Sequence, residues 1–493
     1  MDHQINKPRL HRHSATICGN MKQMTRILVM LIMLFAAKQS VGQADYSKIV
    51  DYYNKEKNFN GAVLVATNGK IDFLSGIGIS NRQSQTSMNS KTKFKIASIT
   101  KAFTAVLILQ LYEQGKIDLN ASFGNYYPTY KGEAKDKVTI RNLLTYSSGI
   151  PNLAEKAGMK SHQIPLTIDA YIDTYCSGQL AFAPGEKSNY SNTEYIILHK
   201  IIENMSKKSY ATLLQENILS PLKMDNTGML QAKDIIVGLT ESYTIDEATK
   251  AITSDEPYFI ENFFGAGAMY STVEDLLKFD TGIFSYQLLN EATTKLMIKP
   301  NENLNGAAFG VWYADGYGTF SKPFIYRTGG ILGACSNWIH TMEDKKSIII
   351  FNNTNGTNLY ELSEQLYLAS NGQKPSIPEI TKQESAADVV HDLEKIKGTW
   401  LLDLRPSPSS EPYFKDFIIE TSKGKAFSGE FYGTKFKGGY FNTDWDQLYF
   451  AFTTGDKENT YYHSGYVDGG KMVGISYCPG RKFTSHWTGT KKQ

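Results

Sequence analysis

Along the first two thirds of the chain, hydrophobic residues occur in two patterns: short apolar runs typical of strands, and longer segments with the spacing of a helix. Ala62–Thr67 and Ile71–Leu74 are short apolar runs on either side of Asn68-Gly69, a pair typical of a tight β-hairpin turn. Ile348–Phe351 has the pattern of another buried strand. Apolar residues recur at helical spacing in three segments: Ser98–Gln114, Ile196–Met205 and Thr272–Phe279. Strands near both ends with helices between them predict an α/β or α+β domain.

The pattern changes in the last quarter of the chain. Residues 371–392 are polar, contain two prolines and are predicted to form a linker. From His391 to Gln493, 20 of 103 residues are aromatic, against 12% in the whole chain, and they occur in short runs separated by turns. Frequent short alternating strands predict a small all-β barrel over residues 393–493. The preceding domain is then predicted to cover residues 43–370.

The N-terminus has the pattern of a signal peptide. Ile27–Ala37 is an eleven-residue apolar run that follows the short basic segment starting at Met21. A membrane-spanning helix needs about 20 such residues, so the run suits an export signal better than a retained anchor. Small residues end at Gly42, which predicts cleavage there and removal of residues 1–42. We therefore expect an exported protein, periplasmic or secreted, with no membrane span after cleavage and with translation starting at Met1 or Met21.

Charge and cysteine content exclude several classes of protein. The chain has 493 residues and a formal net charge of +3. Removing residues 1–42 leaves 46 basic and 48 acidic side chains, so the mature charge is about −2 and predicts no nucleic-acid partner. The three remaining cysteines are widely spaced, and their pattern predicts neither a disulfide framework nor a zinc site. We expect no metal and no cofactor.

A Ser-x-x-Lys motif occurs four times, but only Ser98 opens a long apolar segment, predicted to be an amphipathic helix that ends at Gly115. Residues three apart share a helix face, which places Lys101 beside Ser98. Free N–H groups and the positive end of the helix dipole would lie at this serine. A partly buried lysine can accept a proton from a serine hydroxyl. Equally, Ser98 could be a helix cap and Lys101 a solvated residue, and the motif alone leaves both open.

Two other segments supply complementary groups. Tyr190 and Asn192 lie two residues apart in "APGEKSNYSNTEY", where the Pro-Gly turn suits a loop that presents side chains. "YRTGGILGACSNW" places Arg327 in a strand-like context, followed by Thr328 and by glycines that permit close approach of a substrate. These segments add a second proton-transfer group, an amide and a fixed cation to the serine and lysine.

With these motifs in this order, the chain resembles the serine β-lactamase and penicillin-binding-protein superfamily. It is most similar to the branch of class C β-lactamases, D-alanyl-D-alanine carboxypeptidases and related esterases. The runs "LLTYSSGIP" (143–151), "GAGAMYSTVEDLLKF" (265–279) and "FGVWY" (309–313) are also similar, and the likeness covers roughly residues 45–365. The resemblance implies a serine β-lactamase-like α/β (α+β) fold with an antiparallel sheet and a helical region.

The resemblance also implies roles for individual residues. Ser98 would be acylated, and Lys101 and Tyr190 would share the proton transfer. The backbone N–H groups of Ser98 and Gly330 would form the oxyanion hole. Four positions would border the substrate, the first through its amide and the next two near a substrate carboxylate: Asn192, Arg327, Thr328 and Gly329.

The chain departs from the family pattern at two positions. Arg327 stands where relatives carry lysine or histidine, and Tyr146 stands where many have histidine. Neither change removes the nucleophile or the base, so we expect hydrolysis with an altered substrate preference. The C-terminal segment resembles the small lipocalin-like domains that follow some of these hydrolases, and we expect its aromatic residues to form a packed core.

We therefore expect an exported serine hydrolase that forms an acyl-enzyme and cleaves D-amino-acyl peptides, β-lactams or esters. Two alternatives remain: a promiscuous esterase with no cell-wall role, and a penicillin-binding sensor module that releases its acyl group slowly. A Ser-His-Asp hydrolase is disfavoured because the chain has no G-x-S-x-G motif, and a zinc hydrolase because it has no H-E-x-x-H motif. The expected partner is a small-molecule or peptide substrate.

Overall fold

The computed structural model describes residues 45–246, 248–378, 392–407, 409–443, 447–455, 459–468 and 470–492. The chain divides into two compact units, the first ending at Ile377 and the second beginning at Pro378. The predicted signal peptide (1–42) and most of the predicted linker (371–392) lie outside the described residues. Across those that are described, no helix combines the length and the apolar character needed to cross a membrane.

The first unit is built around one large sheet and several small ones. Its strands are β1 (Gly61–Thr67), β2 (Lys70–Ile77), β3 (Ile79–Asn81), β4 (Thr86–Ser87), β5 (Phe94–Lys95), β6 (Gly228–Met229), β7 (Tyr243–Ile245), β8 (Ile252–Ser254), β9 (Met269–Ser271), β10 (Trp312–Ala314), β11 (Phe324–Ile331), β12 (Ala334–Thr341) and β13 (Lys346–Asn352). Six of them form an antiparallel sheet in the order β10-β11-β12-β13-β1-β2. The predicted antiparallel sheet is confirmed.

Helices cover both faces of this sheet. The helices described in this unit are α1 (45–56), α2 (Thr100–Glu113), α3 (Ile140–Leu144), α4 (Leu153–Ala157), α5 (Ile168–Tyr175), α6 (Thr193–Ser206), α7 (Tyr210–Leu214), α8 (Ser220–Leu222), α9 (Phe264–Gly267), α10 (Val273–Phe284), α11 (Glu291–Ile298) and α12 (Leu359–Ser370). Strand residues alternate between the two faces, so neighbours in β1 enter different cores. Leu64 packs with α2 and α10, whereas Val63 packs with α1 and α12.

Short-range sequence patterns predicted several of these elements correctly. Asn68 and Gly69 both have positive φ (52° and 73°) and connect β1 to β2 as the predicted tight hairpin. Helix α6 contains the predicted segment Ile196–Met205 and is longer at both ends. Helix α10 begins one residue after the predicted start, because Thr272 is its N-cap, and it continues to Phe284. Strand β13 is buried along its whole length, as its continuous apolar pattern predicts.

Helix α2 lies at the centre of the first unit, and eleven of its fourteen residues are buried. The expected amphipathic helix is therefore wrong, because polar residues of α2 find partners inside the protein. Thr104, for example, donates a 2.6 Å hydrogen bond to the carbonyl of Gly265. Gly115 follows the helix with φ 69° and donates to Tyr112, which confirms the predicted C-terminal glycine.

The second unit is a closed eight-stranded antiparallel barrel, which confirms the predicted all-β domain. Its strands are β14 (Gly398–Asp403), β15 (Phe414–Lys423), β16 (Ala426–Phe431), β17 (Thr434–Asn442), β18 (Leu448–Gly455), β19 (Thr460–Asp468), β20 (Lys471–Cys478) and β21 (Phe483–Lys491). Its interior contains an apolar, mainly aromatic core that includes Trp400, Phe417, Phe427, Phe450 and Trp487. The expected packed aromatic core is present.

Candidate active site

Ser98 lies in a 3-10 turn (Ala97–Ile99) that leads directly into α2. The side chain is partly exposed, although its neighbours Ala97 and Ile99 are buried. Ala97 has φ 46°, a left-handed conformation that is unfavourable for a residue with a Cβ atom. Strain of this kind is concentrated at functional sites, where the surrounding structure holds it in place.

Strand β11 approaches this turn closely because Gly329 has no side chain. A Cβ atom at Gly329 would lie 2.4 Å from the carbonyl oxygen of Ile96 and 3.0 Å from the backbone nitrogen of Ser98. Any larger residue would push the strand away from the turn. Thr328 and Gly330, on either side of Gly329, are exposed on β11 beside the turn that contains Ser98. The predicted oxyanion-hole donors, at Ser98 and Gly330, therefore come from adjacent segments.

Lys101 is fully buried beneath Ser98. Its ammonium group donates to Ser98 Oγ (3.0 Å), to Asn192 Oδ1 (2.7 Å) and to the carbonyl oxygen of Ala266 (2.8 Å). An ammonium has three N–H donors, and each has an acceptor in this arrangement. The geometry therefore matches a protonated Lys101.

Tyr190 also contacts Ser98. Its hydroxyl lies 2.7 Å from Ser98 Oγ, and its side chain is 40% exposed at the end of the loop that precedes α6. Because Lys101 donates to Ser98 Oγ, the Ser98 proton is free to point at Tyr190 Oη. Tyr190 and Asn192 lie two residues apart on this loop and both reach the Ser98–Lys101 pair, as the motif predicts.

A buried carboxylate holds this loop from behind. Ser191, between the two motif residues, is buried and donates a short hydrogen bond to Glu194, which also accepts from Ser148 Oγ at 2.7 Å. Burial raises the pKa of Glu194, partly offset by these two serine donors. Sequence reasoning missed Glu194, since nothing in the motif separates it from an ordinary first-turn glutamate.

Arg327 is buried, with only 1% of its surface exposed. Its guanidinium donates to the carbonyl oxygen of Ser98, to Tyr146 Oη and to Tyr190 Oη, each at 2.9 Å. The resemblance implies a contact between Arg327 and a substrate carboxylate. The structure instead directs three of the five guanidinium N–H groups at protein oxygens, one of them at Tyr190, and it buries the side chain beneath the cleft.

Tyr146 supports this arrangement and is itself fully buried. Its ring stacks on Trp312 with centroids 5.5 Å apart, and lies 5.1 Å from the ring of Tyr190. Burial raises the pKa of the Tyr146 hydroxyl, so that it accepts from Arg327 as a neutral phenol. The sequence marks Tyr146 as unusual, but its partner becomes evident only in the fold.

The two buried cations set the electrostatics of the site. Burial, with a contribution from Arg327, lowers the pKa of Lys101 to about 8. Burial alone would raise the pKa of Tyr190, but the charges of Arg327 and Lys101 outweigh it and lower that pKa to about 7. Near neutral pH a substantial fraction of Tyr190 is then phenolate beside a protonated Lys101. An oxygen base is thereby formed 2.7 Å from a serine hydroxyl.

All the sequence-predicted site residues are thus brought to one cleft, although with different exposure. Lys101 and Arg327 lie beneath it, Ser98 and Asn192 are partly exposed, and four positions are accessible or border the opening: Tyr190, Thr328, Gly329 and Gly330. Within the described residues, no group of three or more His, Cys, Asp or Glu side chains is placed to hold a metal ion.

The sequence and fold match known proteins in this same region. Residues 47–372 match the family model described as Beta-lactamase. The teichoic acid D-alanine hydrolase of Staphylococcus aureus is 26% identical over 315 residues, which cover 63% of this chain and 74% of that protein.

Two solved structures share the fold. A penicillin binding protein from Bacillus halodurans superposes with a TM-score of 0.57 at 21% identity, covering 64% of this chain and 97% of that one. The D-amino acid amidase from Ochrobactrum anthropi SV3, solved with D-phenylalanine, gives a TM-score of 0.58 at 21% identity, covering 67% of this chain and 98% of that one. The chain therefore belongs to the Beta-lactamase family, which confirms the predicted β-lactamase-like serine-hydrolase domain.

Proposed function

We propose that this protein is an exported serine hydrolase that cleaves ester or amide bonds of D-amino-acyl substrates through an acyl-enzyme on Ser98. One observation carries the proposal: Ser98 Oγ lies within hydrogen-bond distance of both Tyr190 Oη (2.7 Å) and Lys101 Nζ (3.0 Å). A serine becomes a nucleophile when a neighbouring base takes its proton, and the lowered pKa of Tyr190 supports that role.

Acylation then follows from the positions of the groups. The Tyr190 phenolate takes the Ser98 proton as Oγ attacks the carbonyl carbon of the substrate. The backbone N–H groups of Ser98 and Gly330 stabilise the negative oxygen. When the tetrahedral intermediate collapses, the carbon–leaving-group bond breaks and Tyr190 returns its proton to the leaving oxygen or nitrogen. Lys101 stays protonated and keeps Tyr190 acidic throughout.

Deacylation reverses the proton path with water as the nucleophile. Tyr190 accepts a proton from water, the hydroxyl attacks the acyl carbon, and Ser98 leaves with the proton that Tyr190 holds. Tyr190 is 40% exposed, so water can reach this position. This accessibility favours turnover over the alternative of a sensor that remains acylated.

The names of two relatives support the substrate class. One is a teichoic acid D-alanine hydrolase and the other, a protein of the same fold, is a D-amino acid amidase, so both names contain a D-amino acid. We extend this class to the present chain. Export is proposed from the N-terminal pattern, and mass analysis of the secreted protein should find Gln43 as its first residue. An N-terminus that retains residues 21–42 would contradict that processing.

Intact-mass spectrometry over time tests the function. The full-length protein is mixed with a penicillin, a peptide ending in D-Ala-D-Ala, or an activated D-alanyl ester, and acyl adducts are followed. We expect an adduct on the peptide containing Ser98 that clears as the D-alanyl substrate is consumed. Ser98→Ala should show none, while Ser220→Ala, which alters a second Ser-x-x-Lys serine, should behave as wild type.

The outcomes separate the alternatives. Adducts that persist for all three probes would support the slow sensor, and turnover of simple esters without any D-amino-acyl preference would support the promiscuous esterase. Labelling that survives in Ser98→Ala would refute the assigned nucleophile.

A further inference from the structure

The turn between β11 and β12 lies two residues after Gly330, which supplies one of the two proposed oxyanion-hole donors. Ile331 pairs with Ala334, so Leu332 and Gly333 form the turn itself. Leu332 has φ 49°, a left-handed conformation that favours glycine and is strained for a residue with a Cβ atom. Such a conformation persists only where the surrounding structure holds it. The position of Gly330 therefore depends on the contacts that support this turn.

Asp255, which directly follows β8, supports the turn. Its Oδ1 accepts hydrogen bonds from Gly333 N (3.0 Å) and from Thr244 Oγ1 on β7 (2.9 Å). The backbone of β7 also contacts the turn, since a Cβ atom at Gly333 would lie 2.2 Å from the carbonyl oxygen of Tyr243. Any side chain at Gly333 would push the turn away from β7. The turn thus packs against β7 and is hydrogen-bonded to Asp255.

The other carboxylate oxygen of Asp255 is connected to the segment that leads into Ser98. Asp255 Oδ2 accepts a hydrogen bond from Ser242 Oγ, which in turn accepts one from Lys95 Nζ at 3.1 Å. Lys95 lies on β5, three residues before Ser98. Burial lowers the pKa of Lys95, and the charge of Asp255 offsets part of this effect. One carboxylate therefore joins the chain before Ser98 to the chain after Gly330.

The orientation of Gly330 is set by its neighbours. A Cβ atom at Gly330 would meet no atom of a non-neighbouring residue within 4 Å, so packing at this position does not fix the peptide. On one side of it, Gly329 lies against the backbone nitrogen of Ser98. On the other side, the turn is held by the hydrogen bond from Gly333 to Asp255. Losing the second support would leave the N–H of Gly330 fixed from one side only.

We propose that Asp255 is a positioning residue for the oxyanion hole, which keeps the N–H of Gly330 aligned with that of Ser98. This inference rests on the proposed function. Asp255 acts through Gly333 and the turn, without touching the reacting atoms. The two N–H groups stabilise the oxygen that becomes negative in the transition state, where the direction of each donor matters most. A misaligned donor should therefore lower kcat and leave KM nearly unchanged, because the carbonyl oxygen of the bound substrate carries less charge.

An activated D-alanyl ester and its thionoester, in which sulfur replaces the carbonyl oxygen, test the proposal. Sulfur is a weak hydrogen-bond acceptor, so the thionoester depends less on the oxyanion hole. In the full-length Asp255→Ala variant, kcat for the ester should fall about 10- to 100-fold, with KM unchanged within about twofold. The thionoester should lose less, so the ratio of the two kcat values should fall at least about threefold. Asp255→Asn keeps an oxygen acceptor for Gly333 and should retain most of the wild-type ratio.

Asp344→Ala is the matched control. Asp344 accepts hydrogen bonds from Thr341 and Tyr367 at the turn between β12 and β13, so this variant removes a similar carboxylate from the next hairpin of the same sheet. Its ratio of ester to thionoester kcat should equal that of the wild type. Equal losses for both substrates in Asp255→Ala, or the same change of ratio in Asp344→Ala, would overturn the inference.

Two more variants complete the test. If the thermal transition shows that Asp255→Ala does not fold, Ser242→Ala decides, because it breaks the connection to Lys95 and keeps Asp255. Its ratio should also fall, and a wild-type ratio would refute the role of Asp255. Turnover that remains in Ser98→Ala would refute the proposed function and this inference with it. An inactive Ser98→Ala together with an unchanged ratio in the Asp255 variants would refute the inference alone.

Discussion

Arg327→Gln removes a buried charge that lies beside Tyr190 while retaining a polar side chain. In the wild type the guanidinium donates to Tyr190 Oη at 2.9 Å and helps to lower the pKa of Tyr190 to about 7. Glutamine can still donate to one tyrosine, but it cannot stabilise a phenolate by charge. We therefore expect the pKa of Tyr190 to rise toward the ordinary tyrosine value of about 10.

The size of this rise follows from the geometry. Unit charges about 4 Å apart interact by about 4 kcal/mol at an effective dielectric constant of 20, which corresponds to roughly 3 pKa units. Tyr190 is 40% exposed, and screening by solvent should reduce the effect to about 1–2 units. The phenolate fraction at pH 7 would then fall from about half to roughly 1–10%. Loss of kcat/KM at pH 7 should be about 5- to 50-fold.

Both limbs of the pH profile should move in the same direction. Activity rises as Tyr190 loses its proton, near pH 7, and falls as Lys101 loses its own, near pH 8. The charge of Arg327 lowers both pKa values, so its removal raises both, and the whole profile shifts to higher pH. Much of the lost activity should return at about pH 9.

The assay is kcat/KM for an activated ester across pH in the wild type, Arg327→Gln and Arg327→Lys. Lysine keeps the charge without the planar fork, so its profile should shift less. Arg141→Gln, which removes an arginine bonded to Asn120 in the same unit, is the control. If kcat/KM fell by the same factor at every pH, with both limbs of the pH profile unchanged, the electrostatic role would be refuted and Arg327 would be a structural contact.

The charge of the substrate distinguishes this electrostatic role from direct binding of the substrate by Arg327. If Arg327 instead binds a substrate carboxylate, Arg327→Gln should reduce kcat/KM for carboxylate-bearing substrates and spare neutral esters. Because the guanidinium is buried and directed at Tyr146, Tyr190 and the carbonyl oxygen of Ser98, we expect equal losses for both.

Three further outcomes are expected. Lys101→Ala and Tyr190→Phe should each reduce kcat strongly. Because the two residues form one proton-transfer unit, the double variant should lose far less activity than the product of the two single losses. A loss in the double variant equal to that product would contradict the shared unit. Glu194→Ala should lower kcat about 10- to 100-fold with little change in KM. Glu194→Gln, which keeps an acceptor for Ser191, should retain most of the wild-type kcat. Equal losses of kcat in both variants would show that Glu194 does not act by positioning the loop of Tyr190 and Asn192. A chain ending at Ile377 should keep ester hydrolysis, and its inactivity while folded would mean that the barrel contributes to catalysis.

The motif residues were predictable because each motif carries local information. Ser98 and Lys101 depend on helix spacing, and Tyr190 and Asn192 on a two-residue alternation in a loop. Such patterns depend only on residues close together in the sequence. In the structure, all four residues belong to one network of hydrogen bonds.

Contacts between residues far apart in the sequence were harder to predict. The burial of α2 depends on partners such as Gly265, which lies 161 residues from Thr104. The role of Glu194 depends on Ser148, on a separate segment. The side chains that fill the barrel could be identified only from the strand registers, since an inward Phe450 cannot be distinguished from an outward Tyr449 until its neighbours are known. Composition correctly indicated an aromatic core there, but not where the core ends.

Arg327 and Tyr146, the two residues that depart from the family pattern, are hydrogen-bonded to each other. Arg327 Nη1 donates to Tyr146 Oη, and the same guanidinium reaches Tyr190 with its other terminal nitrogen. A planar fork requires two acceptors in fixed positions, whereas an ammonium satisfies its donors in many directions. Tyrosine at position 146 supplies the second acceptor as a buried neutral phenol and stacks on Trp312 to keep it in place. Arginine at 327 therefore requires a partner such as Tyr146, and the pair acts on Tyr190 rather than on the open cleft. We therefore expect substrate preference to depend on the exposed positions around Ser98, among which Thr328 is an exposed β11 residue that carries a side chain.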